Sequence, residues 1–354
     1  MTAGKQTQRA GQGAQQIQVA GDLIVGIDEA RAKEIAVVTA RNVIAEYTDE
    51  AIALVQVRID ALDSRVIETL EGKDQLEAFG DPAFQRTYRK AQSSAASSER
   101  ETDYDMLAAL LSDRAANPRD RRAITGIERA IEIVDMLDDE ALRAITIIEA
   151  MRKWSPNSAS INEGLDVLEA LFSQLLDGPL PTGFDWAEHL DILDAARVNH
   201  STEFKKYDDY SAEKLGGYSA TGVRTEDVPE FLSPEFPFVR WETLTMEHEL
   251  RPGFTRVSTP NIDTLERALR NQGAEEPMLD EILVAARSMF GVGQGTDESI
   301  QVFKEALRSR PSLNEIGLWW DQIPKHVVAT AVGKKLAMGN MIRLDSSNQI
   351  PREE

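Results

Sequence analysis

The run "YTDEAIALVQVRIDALDSRV", Tyr47 to Val66, places Ile52, Val55, Ile59, Leu62 and Val66 at successive intervals of 3, 4, 3 and 4 residues. That spacing gathers apolar side chains on one face of an α-helix. Thr48 and Asp49 stand where a helix start needs a side-chain oxygen. The seam spans about two heptads, too short for a free coiled coil, and predicts a helix packed in an antiparallel hairpin.

The same signals continue on both sides. Asp28 caps a preceding helix that runs to about Glu46, with Glu29 in its first turn. Downstream, "FGDPAFQ" breaks the pattern: Asp81 caps and Pro82 fits the first helical position of a helix through Ala96. "YDMLAALLSDRAA" is a further helix, stopped at Asn117–Pro118. Helices then follow over 119–137, 139–154, 160–176 and 185–198. Others follow Thr259–Pro260, read as cap and first residue, and cover 278–290, 296–308, 311–321 and 324–338. Short connections between successive helices imply antiparallel neighbours. The expected fold is mainly α: a multi-helix bundle or irregular α-stack, without a fixed-period repeat.

Two regions depart from this. Residues 1–26 form an arm, in which "QIQVAGDLIVG" alternates Ile17 and Val19 with Gln, then Leu23 with Val25. This predicts a short N-terminal β-hairpin. Residues 201–260 are rich in Gly, Pro, Tyr and Asp, with a few short strands expected near 236–258. The stretch from Tyr207 to Arg224, with Gly216–Gly217 and sparse apolar residues, is expected to be weakly protected. The chain thus divides into an arm (1–26), a helical domain (27–200), an irregular segment (201–260) and a C-terminal helical region (261–354).

With 354 residues and 42% apolar content, the chain can bury a substantial core. It lacks cysteine, which excludes disulfides and thiolate metal sites. No apolar run approaches the ~18 residues that span a bilayer. The opening residues lack an apolar centre, so a cytoplasmic location is expected. A net charge of -21 repels phosphate backbones at long range and argues against a nucleic-acid partner. Two segments are locally basic: "RTYRKAQ" (Arg86–Gln92) and "NPRDRRAITGIERA" (Asn117–Ala130).

Signals for chemistry are weak. Asp185 and His189 share a helix face, but two ligands do not make a metal site. "EHE" (Glu247–Glu249) would send its acids and its His to opposite faces of a strand. "GVGQGTDES" (Gly291–Ser299) precedes a helix but lacks the lysine of a phosphate loop. There is no GxSxG nucleophile motif. Of Trp319 and Trp320, one ring is expected in the core and one at the rim. No catalytic residue, metal or cofactor is assigned.

Four segments carry a resemblance: "QIQVAGDLIVGIDEARAKEIAVVTARN" (16–42), "FGDPAFQRTYRKAQSSAASSERETDYDMLAALLSDRA" (79–115), "RRAITGIERAIEIVDMLDDEALRAI" (121–145) and "VVATAVGKKLAMGNM" (327–341). In this order they resemble the blocks of an uncharacterised family of bacterial helical proteins. That family carries an N-terminal Gln/Gly/Ile strand segment, an F-x-D-P-x-x-Q block and an L-T-x-V-G-like ending. Phe79, Asp81, Pro82 and Gln85 match the block; at the ending Ala329 replaces the usual Leu before Thr330, Val332 and Gly333. The resemblance implies no catalytic residue. The strand segment also resembles preludes on bacterial antiviral and signalling effectors.

The expected function is therefore non-enzymatic: a self-assembling bacterial interaction protein, in antiviral defence or signalling. Its homo-oligomer would form through strands that bury Ile17, Val19, Leu23 and Val25. The alternative is an enzyme whose site joins Tyr207, Asp208, Asp209, Tyr210, Arg224, Glu247 and His248.

Overall fold

The computed structural model describes residues 27–45, 47–228 and 239–345. The arm, with Ile17, Val19, Leu23, Val25 and the expected hairpin, lies outside them. Among the described residues, 65% are helical and 6% lie in strands, which makes the fold mainly α. The first half comprises α1 (Glu29–Ile44), α2 (Asp49–Glu71), α3 (Pro82–Ser97), α4 (Glu101–Ala116), α5 (Arg121–Ile133), α6 (Asp139–Lys153), α7 (Ile161–Leu175) and α8 (Asp185–Ile192). After β1 (Ala196–Asn199), α9 (Tyr207–Lys214) precedes the strands β2 (Val223–Arg224), β3 (Thr245–Glu247) and β4 (Phe254–Val257). Helices α10 (Ile262–Asn271), α11 (Met278–Phe290), α12 (Asp297–Arg308) and α13 (Pro311–Trp320) lead to β5 (His326–Ala329) and α14 (Ala331–Leu344).

Side-chain oxygens start many of these helices. Asp28 accepts from the Arg31 amide, Asp81 from Ala83, Ser160 from Glu163 and Thr296 from Ser299. At α10 the cap is Asn261, accepting from Thr264 at 2.9 Å, and not Thr259. The seam of α2 is buried at Val55, Ile59, Leu62 and Val66, and the helix packs on α1, α3 and α4 together. The F-x-D-P-x-x-Q residues form one closed unit. Phe79 meets Phe84 and Tyr88 edge-on, Asp81 caps α3, and the Gln85 amide donates to the Phe79 carbonyl at 2.6 Å.

The last helix packs on helices from the first half of the chain. α14 packs on α4, α5 and α6, and Leu336, Ala337 and Met341 are buried there. β1 and β5 deliver it: they pair antiparallel, with Ala196 opposite Ala329. Sequence periodicity absorbs both strands into helices 185–198 and 324–338. The structure corrects this, because a strand's distant partner in the chain leaves no local trace. Thr330 caps α14, accepting from the Gly333 amide at 3.2 Å and donating to the Asp194 carbonyl at 2.6 Å. Gly333 then lies so near the Ala195 carbonyl oxygen that a Cβ would fall 2.0 Å from it.

Strands β2, β4 and β3 form a three-stranded sheet in that order. With α10 and α11 it encloses a smaller core of Val223, Trp241, Leu244, Val257, Leu265, Ile282 and Phe290. The expectation of weak burial from Tyr207 to Arg224 is overturned: Tyr207, Tyr218 and Ala220 are fully buried. The glycines there permit close approach, since a Cβ on Gly217 would lie 1.9 Å from the Thr259 carbonyl oxygen. Sparse apolar side chains are thus offset by backbone packed directly on backbone.

Gly333→Ala is expected to destabilise the protein by ~1–3 kcal/mol through overpacking. Gly339→Ala, whose Cβ would meet Met106 at an ordinary 3.6 Å, should be neutral or stabilising by up to ~1 kcal/mol. Thermal or urea denaturation of the two variants compares them; equal effects would contradict the close approach at Gly333.

Candidate functional site

The residues proposed for an enzymatic site fall into two groups with separate partners. On α9, Asp208 pairs with Arg308 at 2.7 Å and Asp209 with Lys304 at 2.7 Å. The Tyr207 amide donates to Asp321 at 2.8 Å, and the Arg308 guanidinium lies 5.0 Å from the Tyr207 ring centre. Tyr210 stacks on Trp320 at 5.3 Å and donates to the Met151 carbonyl. These contacts fasten α9 to α12, α13 and the end of α6. Trp319 and Trp320 are both buried, against the expected split between core and rim. Their indole N–H groups donate to the carbonyls of Pro181 and Lys205.

The second group lies in the three-stranded sheet. Arg224 is exposed beside Glu226, and Glu247 is exposed on β3. His248 is buried: its Nε2 lies 3.1 Å from the Ala220 carbonyl, and its Nδ1 accepts from the Leu250 amide. Burial lowers its pKa, so the ring stays neutral as a connector. Among the described residues, Arg224, Glu247 and His248 share no hydrogen bond or ion pair with α9.

Sequence reading passes over the strongest charged contact here. Arg256 is fully buried and is held by the Glu249 carboxylate. It also donates to the carbonyls of Val257 at 2.7 Å and Ala159 at 2.6 Å. Glu249 in turn accepts from the Ile161 amide at 2.8 Å, at the start of α7. A buried arginine with a carboxylate and two carbonyls around it is satisfied, and it clips the sheet onto α7. In the sequence Glu249 stands out only as part of "EHE", and its partner seven residues on belongs to the neighbouring strand.

The most perturbed carboxyl with a buried setting is Asp63, between α2 and α3. Burial raises its pKa from 3.8 to about 6, with the Asp60 charge adding to the rise and hydrogen bonds from Tyr88 and Gln92 opposing it. Tyr88 and Gln92 both donate to its Oδ1. Burial also raises the pKa of Tyr88, so both partners favour their protonated forms and the pair ties α2 to α3. Elsewhere, a cleft of about 740 Å³ between α4, α5, α6 and α14 has Lys335 paired to Asp113 and Arg152 to Glu149. His189 accepts from the Asp138 amide at 3.3 Å. No cluster of three or more metal-binding residues occurs among the described residues. In "GVGQGTDES", Gly291 takes a left-handed conformation and the Thr296 amide donates to Thr221, so the loop is closed by its own chain.

Large apolar side chains are exposed at several places, among them Ile192, Val284 and Leu318, and four lie close together in the chain. Val37 and Val38 on α1 are 51% and 55% exposed, and Leu54 and Val57 on α2 are 55% and 65% exposed. All four belong to the first helix pair, directly after the arm. Among the described residues, no helix is long and apolar enough to cross a membrane.

A family model whose description reads ":-like" matches residues 26–349. The chain belongs to that family, and the description names no activity, ligand or partner. No curated protein and no solved structure matches the chain.

Asp63 yields a pH test. Between pH 3.8 and about 6 the folded state holds the Asp63 proton more tightly than the unfolded chain does. Its contribution to stability is therefore present at low pH and lost as pH rises through that window. Asp63→Asn keeps the acceptor for Tyr88 and Gln92 but cannot ionise. Relative to the native protein, the variant should gain stability between about pH 4 and about pH 7.5. The gain should reach at most ~3 kcal/mol, since each tenfold difference in proton affinity is worth ~1.36 kcal/mol. Urea denaturation at both values checks this, and an unchanged difference would contradict it.

Proposed function

We propose that this chain is a non-enzymatic, self-assembling cytoplasmic interaction protein. Copies join through the strand-forming segment that carries Ile17, Val19, Leu23 and Val25, and through the neighbouring face of α1 and α2. The observation that carries this reading is the exposure of Val37, Val38, Leu54 and Val57 on the helix pair next to that segment. Single exposed apolar residues are ordinary, whereas several on adjoining helices suit an interface.

Magnitudes favour a joint surface. Burying four such side chains contributes ~1.5–3 kcal/mol each at most, while association costs ~4–15 kcal/mol in lost freedom. The helix face alone is then marginal, and main-chain pairing between arms supplies the remainder. The enzyme alternative loses support, because its candidate residues are engaged in two separate sets of packing contacts. A role in antiviral defence or signalling rests on the resemblance of the strand segment and would be an outcome of assembly.

Sedimentation of the full chain at micromolar concentration should give a mass above one chain. Deleting residues 1–26 should lower that mass with helicity nearly unchanged, and Leu54→Ser with Val57→Asp should weaken the assembly further. A full chain that sediments as a monomer, or a deletion that leaves the mass per assembly unaltered, would reject the reading.

A further inference from the structure

The two basic segments distinguished in the sequence meet in space. Arg86 of the first and Arg119 and Arg121 of the second line one cleft of about 470 Å³, with Arg114 from the last turn of α4. Asp81 and Glu128 are the acids there, so the lining carries a net positive charge in a chain of net -21. Glu128 is shared: it receives Arg86 at 3.2 Å, Lys90 at 2.9 Å and the Thr87 hydroxyl at 3.1 Å. Arg119 and Arg121 have no ion-pair partner among the described residues.

Arg114 is the decisive group. Its side chain is 2% exposed, and its nearest acid is Asp81 at 3.5 Å, long for a charge-assisted hydrogen bond. Its Nε is buried with no acceptor. A cation in the last turn of α4 suits the carbonyl end of the helix, which accounts for the charge but not for the unfilled donor. A buried donor without an acceptor is unfavourable, in contrast to Arg256, which is satisfied within the chain. The planar fork of arginine matches the oxygens of a phosphoryl group in pairs. The volume lies within the ~300–1,000 Å³ of small-molecule sites.

We propose that this cleft binds a small phosphate-bearing ligand, with Arg114 as the buried anchor and Arg86, Arg119 and Arg121 around the rim. Long-range repulsion from the acidic surface disfavours a polyanionic strand, whereas a small ligand meets the local arginines within about one Debye length of ~8–10 Å. The site is independent of the assembly surface on α1 and α2.

The test is calorimetric titration of the full chain with inorganic phosphate, pyrophosphate and a short single-stranded oligonucleotide, at low ionic strength. Phosphate and pyrophosphate should bind at one site per chain, pyrophosphate more tightly. Combined Arg119→Ala and Arg121→Ala should weaken both by at least ~10-fold without lowering the thermal midpoint. Arg114→Met should abolish binding; if that variant does not fold, the double rim variant decides. No saturable binding of either small anion below ~10 mM would overturn the proposal. Unweakened binding in the double variant, or binding of the oligonucleotide alone, would overturn it as well.

Discussion

The seat of Gly333 against the carbonyl of Ala195 is the contact on which the rest of the structure depends. It seats the last helix against α4, α5 and α6. A Cβ at position 333 would fall 2.0 Å from the Ala195 carbonyl oxygen. α14 would then have to shift away from the chain before β1, where Thr330 caps the helix and bonds the Asp194 carbonyl. Because α14 packs on α4, α5 and α6 at once, moving it would uncover Leu110 and break the Asn340–Thr146 hydrogen bond. The ending "TAVGKK" is thus a docking device: Thr330 as cap, Gly333 as close approach, and Lys335 fastened to Asp113 at 2.8 Å. Ala329, small and buried opposite Ala196, fits the same purpose.

What the sequence discloses is what local chemistry determines. Asp28, Asp81 with Pro82, Ser160 and Thr296 announce helix starts because a cap acts within three residues, and each is seen capping. Val55, Ile59, Leu62 and Val66 announce a buried face because helical period is local. Pairing at a distance is silent. His326–Ala329 continues into α14 without a break in composition, so the β5 strand is revealed only by β1. Burial by backbone contact is equally silent. Gly216 and Gly217 look like loop residues, yet they let the chain pack against Gly293 and Thr259.

The candidate sites follow the same division. Tyr207, Asp208, Asp209 and His248 attract notice as reactive types in an irregular stretch, but each is occupied by a contact that holds two elements together. The basic segments are legible as charge, and only the fold shows that Arg114 joins them from a third segment with a donor unfilled. Net charge acts over the whole surface, while hydrogen-bond demand acts within ångströms. A strongly acidic chain can thus carry one cationic cleft without contradiction.

Native-state hydrogen exchange on the full chain tests the closure most directly. If α14 is a core element, its amides from Leu336 to Met341 should exchange only through the same opening as those of Ile145 to Ala150 in α6, within ~1 kcal/mol. Exchange of the α14 amides through an easier opening, close to that of a fraying terminus while α6 stays protected, would contradict the account.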